Sequence, residues 1–301
     1  MAQTAATNTS EFAGFLKPAE AEAYFTQAAR QSVVQSLTRR VPLGINGQEI
    51  PVVTSKPTAG WVNEAGKKPT TNGALGLKSM APKKIAAITV VSAEVVRANP
   101  GNYVSMFRDQ IAEAFAIAFD AATLHGTATP FGAGNFVGAT TKAVELGTAT
   151  QANGGVYADV NGALKLLVDD KKKLTGWALD DTTEPTFNAA VDLNGRPLFV
   201  DATYEDSALS GGRLLRRPAF YNEGVASGTT VGFAGDWSQA VWGAVGGISY
   251  DVSTEATVTI NGELTSLWEH NLVAIRAEAE YGWLVNDAES FVALTDGAVE
   301  G

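Results

Sequence analysis

Proton transfer and zinc ligation near neutral pH most often fall to histidine, and this chain has two, His125 and His270. They lie far apart, and neither stands in an H-E-x-x-H arrangement, which would place two imidazoles one helical turn apart on a metal. His125 ends a long helical pattern, where an imidazolium would complement the negative end of the helix dipole, so a capping role is expected rather than a ligand or base. With no cysteine there is neither thiolate nor disulfide chemistry, a composition compatible with a reducing compartment. No G-x-S-x-G elbow and no G-x-x-x-x-G-K-[ST] loop occurs. Gly132-Ala133-Gly134 with Gly138 is one residue too long for G-x-G-x-x-G and follows a helix where a strand is required, so it reads as a turn-rich loop. The acid pairs Asp169-Asp170 and Asp180-Asp181 are adjacent in sequence, so their side chains diverge on regular structure and read as solvated surface. No catalytic, cofactor-binding or metal-ligating residue is therefore expected.

Composition points the same way. A hydrophobic content of 45% over 301 residues is enough for one large core or two modest ones, while 18% charge leaves much neutral surface for packing. Thirty-two acidic against 22 basic residues give a net charge of −10, which argues against gripping nucleic acid by phosphate neutralisation. The N-terminus lacks the basic and apolar regions of a signal peptide, and no apolar run is long enough to span a bilayer.

The clearest element is a helix over 102–124. Phe107, Ile111, Phe115, Ala118 and Ala122 recur at steps of three and four and form one apolar stripe, with Phe107, Ile111 and Phe115 as its core. Arg108, Asp109, Glu113 and Asp120 lie mostly off that stripe. Asn99 and Pro100 supply a start signal and Gly126 a stop, so about 22 residues form a rod of roughly 33 Å. A second helical pattern covers 18–40, with Phe25, Ala29, Val33 and Leu37 on one face, Glu20 and Glu22 near its start and Arg39 and Arg40 at its end. It has no evident partner within the chain, so docking on its own core and packing on another subunit both stay open; residues 1–11 are small, polar and unlike a packed segment.

Between these helices, Ile50-Pro51-Val52-Val53 starts a strand for which Lys83 to Ile88 is an antiparallel partner. Gly66, Pro69, Gly73 and Gly76 keep the intervening "NEAGKKPTTNGALGLKS" out of regular structure. Such a two-stranded ribbon is marginal alone and needs a surface to lie on. Residues 146–254 read as a separate α/β domain. It has a helix over Val156 to Leu174 ending in Lys171-Lys172-Lys173, a buried strand Gly176-Trp177-Ala178-Leu179, a loop from Asp180 to Pro185, and strands in "GRPLFVD", "TTVGFAGD" and "AVWGAVGGISYDVS". Glu205 to Gly212 is a candidate surface loop.

"PTAGWVNEAGKKP" (57–69), "APKKIAAITVVSAEVV" (81–96), "DAATLHGTATPFG" (120–132) and "NLVAIRAEAEYGWLVNDAESFVAL" (271–294), in this order, resemble the major capsid proteins of tailed bacteriophages, the Hong Kong 97-like family. The resemblance implies an α+β fold: an N-terminal arm (1–46), an extended β-hairpin loop (47–88), a peripheral domain with a long spine helix (89–145 and 255–287), and an axial α/β domain (146–254 and 288–301). It implies hexamers and pentamers closing an icosahedral shell around double-stranded DNA, in the virion head, after assembly in the bacterial cytoplasm, with spine bending and arm movement as the shell expands during maturation. Inter-subunit contacts are expected at Trp61, Glu64, Lys67, Lys68 and Lys78 on the extended loop. The partners implied are other copies, a scaffolding protein, a portal and a decoration or cement protein, with no sequence-specific DNA binding and no membrane. Few residues precede Ile50 and Met1 is present, so the scaffold is expected to be separately encoded. Some members join an arm lysine to an asparagine of another subunit with a glutamate assisting. Lys67, Lys68, Lys78, Asn271 and Asn286 are available, but no local motif matches them to the reacting residues, so non-covalent contacts are expected. An encapsulin-type compartment, or a soluble α+β enzyme or binding protein with a dispersed site, are the alternatives.

Overall fold

The longest strand of the protein, Leu272–Val285 (β14), organises the first of two main sheets. The computed structural model describes residues 32–64, 66–98, 103–191, 199, 210–222 and 224–296. On one side β14 pairs antiparallel with Lys83–Ser92 (β4), from Leu272↔Ser92 to Tyr281↔Lys83. On the other it pairs with Ala240–Ala244 (β10) and Ser249–Ser253 (β11), and Arg39–Arg40 (β1) adds parallel to β10. The segment "AVWGAVGGISYDVS" therefore forms two strands of this sheet.

The long helix lies on β14. Regular α-helix runs over Tyr103–Asp120 (α3) and passes into a π-helical turn at Ala121–His125, which Gly126 ends at φ 71°. A Cβ on Gly126 would fall 2.7 Å from the Phe136 ring, so both the backbone conformation and the space require glycine. The expected start at Asn99 and Pro100 lies outside the described residues. Ile111 and Phe115 are buried against Ala277 and Ala279, whose short side chains let the aromatic ring approach the sheet, with Phe107 half-buried beside them. The stripe turns slightly from its expected course: Ala118 is exposed, and Phe119 and Asp120 are buried in its place. Phe119 packs edge-on to Phe131, Trp242 and Trp283, which fastens this end of the helix to the sheet. A further helix, Ala93–Ala98 (α2), follows β4 directly.

The expected N-terminal helix differs on two counts. Residues 18–31 lie outside the described part, and Ser32, with extended backbone, caps a separate short helix, Val33–Leu37 (α1). Val33 and Val34 are fully buried in the core shared with Phe119, Phe233 and Trp283, so this end of the segment docks on its own subunit. Arg39 and Arg40 are strand rather than helix, because β10 offers a free edge and the Arg40 guanidinium lies 5.4 Å from the centre of the Trp242 ring.

The second sheet is mixed. Its order is Ala143–Leu146 (β5), Phe291–Asp296 (β15), Thr230–Gly235 (β9), Gly176–Leu179 (β6), Arg217–Tyr221 (β8) and Ser210–Leu214 (β7). All four residues of β6 are buried, as its sequence suggested. Helix Gly155–Asp169 (α4) covers this sheet through Val160, Ala163 and Leu167, but Val168 is 56% exposed. The helix ends before the lysine run, and Lys171 turns the chain at φ 58°. Asp180 to Pro185 is a 3-10 turn leading into a short helix, Glu184–Asn188 (α5), not an open loop. Asp180 is buried because its carboxylate accepts from the Thr182 amide at 3.0 Å. Of the expected loop 205–212, Ser210 to Gly212 belong to β7 and the rest lies outside the described residues, as does all of "GRPLFVD" except Phe199.

Because Phe115 is 3% exposed and fills the space over Ala277 and Ala279, Phe115→Ala should destabilise the subunit by about 3–5 kcal/mol. Removing the charge of the exposed Arg108, whose guanidinium lies 5.2 Å from the centre of the Tyr250 ring, should cost about 0.5–1 kcal/mol. Urea unfolding of unassembled subunits compares the two, and equal losses would mean that this face of α3 does not carry the core.

Candidate inter-subunit interface

The ribbon that leaves the body is Gln48–Ser55 (β2) paired antiparallel with Ala74–Met80 (β3), from Gln48↔Met80 to Ser55↔Ala74. The sequence suggested Lys83 to Ile88 as the partner of β2. Those residues pair with β14 instead, since Ile85 and Ala87 gain burial beneath α3 that a free hairpin would not supply. Gly76 consequently sits inside the ladder opposite Val52, and the irregular tip is shorter than expected.

The base of the ribbon is anchored firmly. Leu43 and Met80 pack with Val241 and Leu284 over the cross-strand pair Gly243↔Gly282. A Cβ on Gly243 would stand 2.8 Å from Leu43 Cβ, and one on Gly282 2.7 Å from Leu43 Cδ2, so the missing side chains are what let the base seat. Lys78, half-buried, donates from Nζ to the backbone oxygens of Asn286 (2.6 Å) and Val285 (3.4 Å).

The structure thus separates the five expected contact residues. Trp61 is fully exposed at the tip with Glu64, Lys67 and Lys68 near it, all facing solvent, while Lys78 ties the base to its own subunit. Sequence reasoning missed the exposed apolar residues of the ribbon itself, Val53, Leu75 and Leu77, although the alternation of Leu75 and Leu77 with Gly76 and Lys78 carries that signal. The asparagines considered for cross-linking already donate within the subunit: Asn271 Nδ2 to Glu94 Oε1 at 2.7 Å and Asn286 Nδ2 to Gln239 Oε1 at 2.8 Å.

Two titratable groups flank the π-helical turn. His125 Nε2 lies 2.8 Å from the carbonyl oxygen of Val225, and since that oxygen only accepts, Nε2 carries the proton. Burial beside Phe233 lowers the pKa of the ring, so it is a neutral, packed imidazole and not the dipole-capping cation expected from sequence. Asp120, 3% exposed, accepts from Ser32 Oγ at 2.5 Å and from the Val33 amide at 2.9 Å, capping α1 and holding the root of the N-terminal segment to α3. Burial pushes this carboxyl up to about 7, only partly offset by the donors from Ser32, Val33 and Val34. Nothing in the local sequence marked Asp120 as buried except its place beside Phe119 in an otherwise apolar stretch. Among the described residues no group of three His, Asp or Glu side chains is placed to hold a metal ion, and no helix is long and apolar enough to cross a membrane.

A helix laid across a long central strand, a projecting two-stranded ribbon and a second mixed sheet define a shell-building subunit. The chain belongs to the phage capsid family, whose model matches residues 13–296. It is 48% identical over 303 residues to the probable major capsid protein gp17 of Mycobacterium phage D29, covering 98% of this chain and 94% of that one. Its identity to the corresponding protein of Mycobacterium phage L5 is 46% over 305 residues, covering 98% and 93%. A solved chain of Gordonia phage Cozz superposes with a TM-score of 0.74 at 22% identity, covering 94% of this chain and 91% of its own, which shows the shared Hong Kong 97-like fold. The protein is a structural component of the phage capsid, and its place is the virion head.

The carboxyl of Asp120 binds its proton more tightly in the folded than in the unfolded subunit. Its contribution to stability is therefore full below the unfolded value near 3.8 and is lost as pH rises to about 7. Asp120→Asn removes this dependence. Wild type should lose stability relative to the variant between pH 4 and 7 by on the order of 4 kcal/mol at most, then run parallel to it. Urea titrations of both proteins across this range test it, and a constant difference would contradict the buried, proton-binding state.

Proposed function

We propose that this subunit assembles as hexamers and pentamers into an icosahedral shell around double-stranded DNA, with the ribbon lying on an adjacent subunit. The observation that supports this most is the ribbon's surface: Trp61, Leu75, Leu77 and Val53 expose apolar side chains on an element whose own subunit covers only its base. A two-stranded ribbon of this kind is marginal in water and gains stability from a surface to lie on. Many modest contacts of this sort, repeated around closed rings, give a stable shell with no bond chemistry. The similarity to phage capsid proteins favours a genome over an enclosed cargo enzyme.

In this reading residues 1–46 form the arm and 47–88 the extended loop. The peripheral domain is built on β14 and α3, and the axial domain on β9, β15 and α4. Shell expansion bends the spine at its π-helical turn and swings the ribbon. Assembly takes place in the host cytoplasm, and the additional components are a scaffolding protein, a portal and a cementing protein. Lys67, Lys68 and Lys78 act as charges or anchors, so the contacts between subunits are non-covalent.

Replacing Pro57 to Asn72 by a short turn leaves the β2–β3 ladder intact and should give a folded, soluble subunit that forms no stable shells. Circular dichroism and negative-stain microscopy read the two halves of this expectation, and normal particles would remove the ribbon from the assembly mechanism. Mature particles, boiled in denaturant and run on a gel, should give a single band near 31.4 kDa. A ladder of multimers would make the tip lysines covalent sites.

A further inference from the structure

The two ends of β14 carry surfaces of opposite charge. Near Val285, the ribbon and the lysine-rich turn after α4 enclose an open cleft of about 900 Å³. Arg39, Lys56, Lys171 and Lys173 line it, all exposed and without a partner among the described residues. The acids of the cleft are already engaged: Asp170 with Lys142 at 2.7 Å, Asp287 with Lys172, and Asp236 with the Ser238 hydroxyl at 2.6 Å. The hydroxyl on Asp236 is neutral and offsets no charge, so the four free cations stand against one carboxylate without a lysine partner, and the cleft keeps an excess of positive charge in a chain of net charge −10. Val52, Val53, Val241 and Leu284 give the same cleft an apolar side.

At the Leu272 end stands the hairpin Thr257–Ile260 (β12) and Glu263–Ser266 (β13). Val258 and Ile260 pack it down on Val90, Leu267 and Ala274, which turns Leu264 outward at 80% exposure, with Trp268 beside it at 74%. Residues 255–269 contain Glu255, Glu263 and Glu269, all exposed, and no lysine or arginine. The hairpin is therefore acidic with apolar side chains at its surface, and the cleft is basic with an apolar side.

We propose that the β12–β13 hairpin of one subunit docks in the basic cleft of a second copy. Leu264 covers the apolar side, and Glu263 and Glu269 pair with the cations led by Lys171 and Lys173. The contact must form between copies, because Leu272 and Leu284 are separated along β14 by about 40 Å of extended chain. It joins two different patches of one chain, which is the head-to-tail geometry that builds rings and lattices rather than isolated dimers. It rests on the shell-forming reading and adds to it a named contact apart from the ribbon tip. The apolar side of the cleft, which an aliphatic side chain such as Leu264 can cover and a phosphodiester backbone cannot, favours a protein segment over a nucleic-acid chain.

Charge reversal tests it in the full chain. Lys171→Glu with Lys173→Glu, and separately Glu263→Lys with Glu269→Lys, should each leave folded subunits, by circular dichroism, that lose shell formation under conditions where wild type assembles. The four changes together should restore shells. Normal shells from either pair alone would overturn the proposal, as would failure of the combined variant to recover. Normal shells that leak DNA after reversal in the cleft would assign it to the nucleic acid and overturn it as well. The absence of cysteine permits a second readout: Val53→Cys with Leu264→Cys should give covalent multimers in oxidised particles, while each single change should not. Well-formed particles of the double variant without multimers would refute the contact while leaving the ribbon reading intact.

Discussion

Close approach along β14 is the constraint on which the rest of the subunit depends. Ala277 and Ala279 leave room for Phe115 and Ile111, and Gly282, opposite Gly243, leaves room for Leu43 and Met80. One strand thereby seats the long helix along part of its length and the base of the ribbon at one end. Larger side chains at these positions would have to displace backbone or buried side chains, which well-packed interiors resist. The same strand carries β4 on one edge and β10 and β11 on the other, so the first sheet is assembled on it.

The far end of the long helix joins the two main cores. Phe119 lies among Trp242, Tyr281 and Trp283 of the first sheet and shares a cluster with Phe233 and Phe291 of the second. Asp120 at this point brings in the N-terminal segment through Ser32 and the amide of Val33. A buried carboxyl with only neutral donors is an expensive group, and its elevated pKa expresses that cost. The π-helical turn and Gly126 follow immediately, so helix irregularity, a buried carboxyl and arm attachment occupy one place.

Polar and apolar surfaces are distributed to suit a subunit that meets copies of itself. The tip of the ribbon exposes Trp61, and the β12–β13 hairpin, seated on Val90, Leu267 and Ala274 through its other face, exposes Leu264 and Trp268. Exposed aromatic and aliphatic groups of this size are unusual on a monomer and ordinary on an assembly. The low charge content belongs to the same design, since charges at contact surfaces would have to be paired or desolvated.

Local pattern alone determined the long amphipathic helix through Phe107, Ile111 and Phe115, the fully apolar strand β6, and a glycine-punctuated projection around Trp61. Each depends on a short stretch whose periodicity or turn chemistry has few alternatives. Tertiary structure decided what competition between distant partners decides. Lys83 to Ile88 joined β14 because burial under α3 outweighs pairing with a nearby strand, and Arg39 and Arg40 left their helical pattern for the free edge of β10. The lysines after α4 fell beyond its end, and Lys172 met Asp287 from the other end of the chain. Likewise, His125 is neutral because burial beside Phe233 outweighs the Val225 carbonyl that accepts from its ring, and Asp120 is held buried by the Ser32 hydroxyl 88 residues away, neighbours that no local window contains.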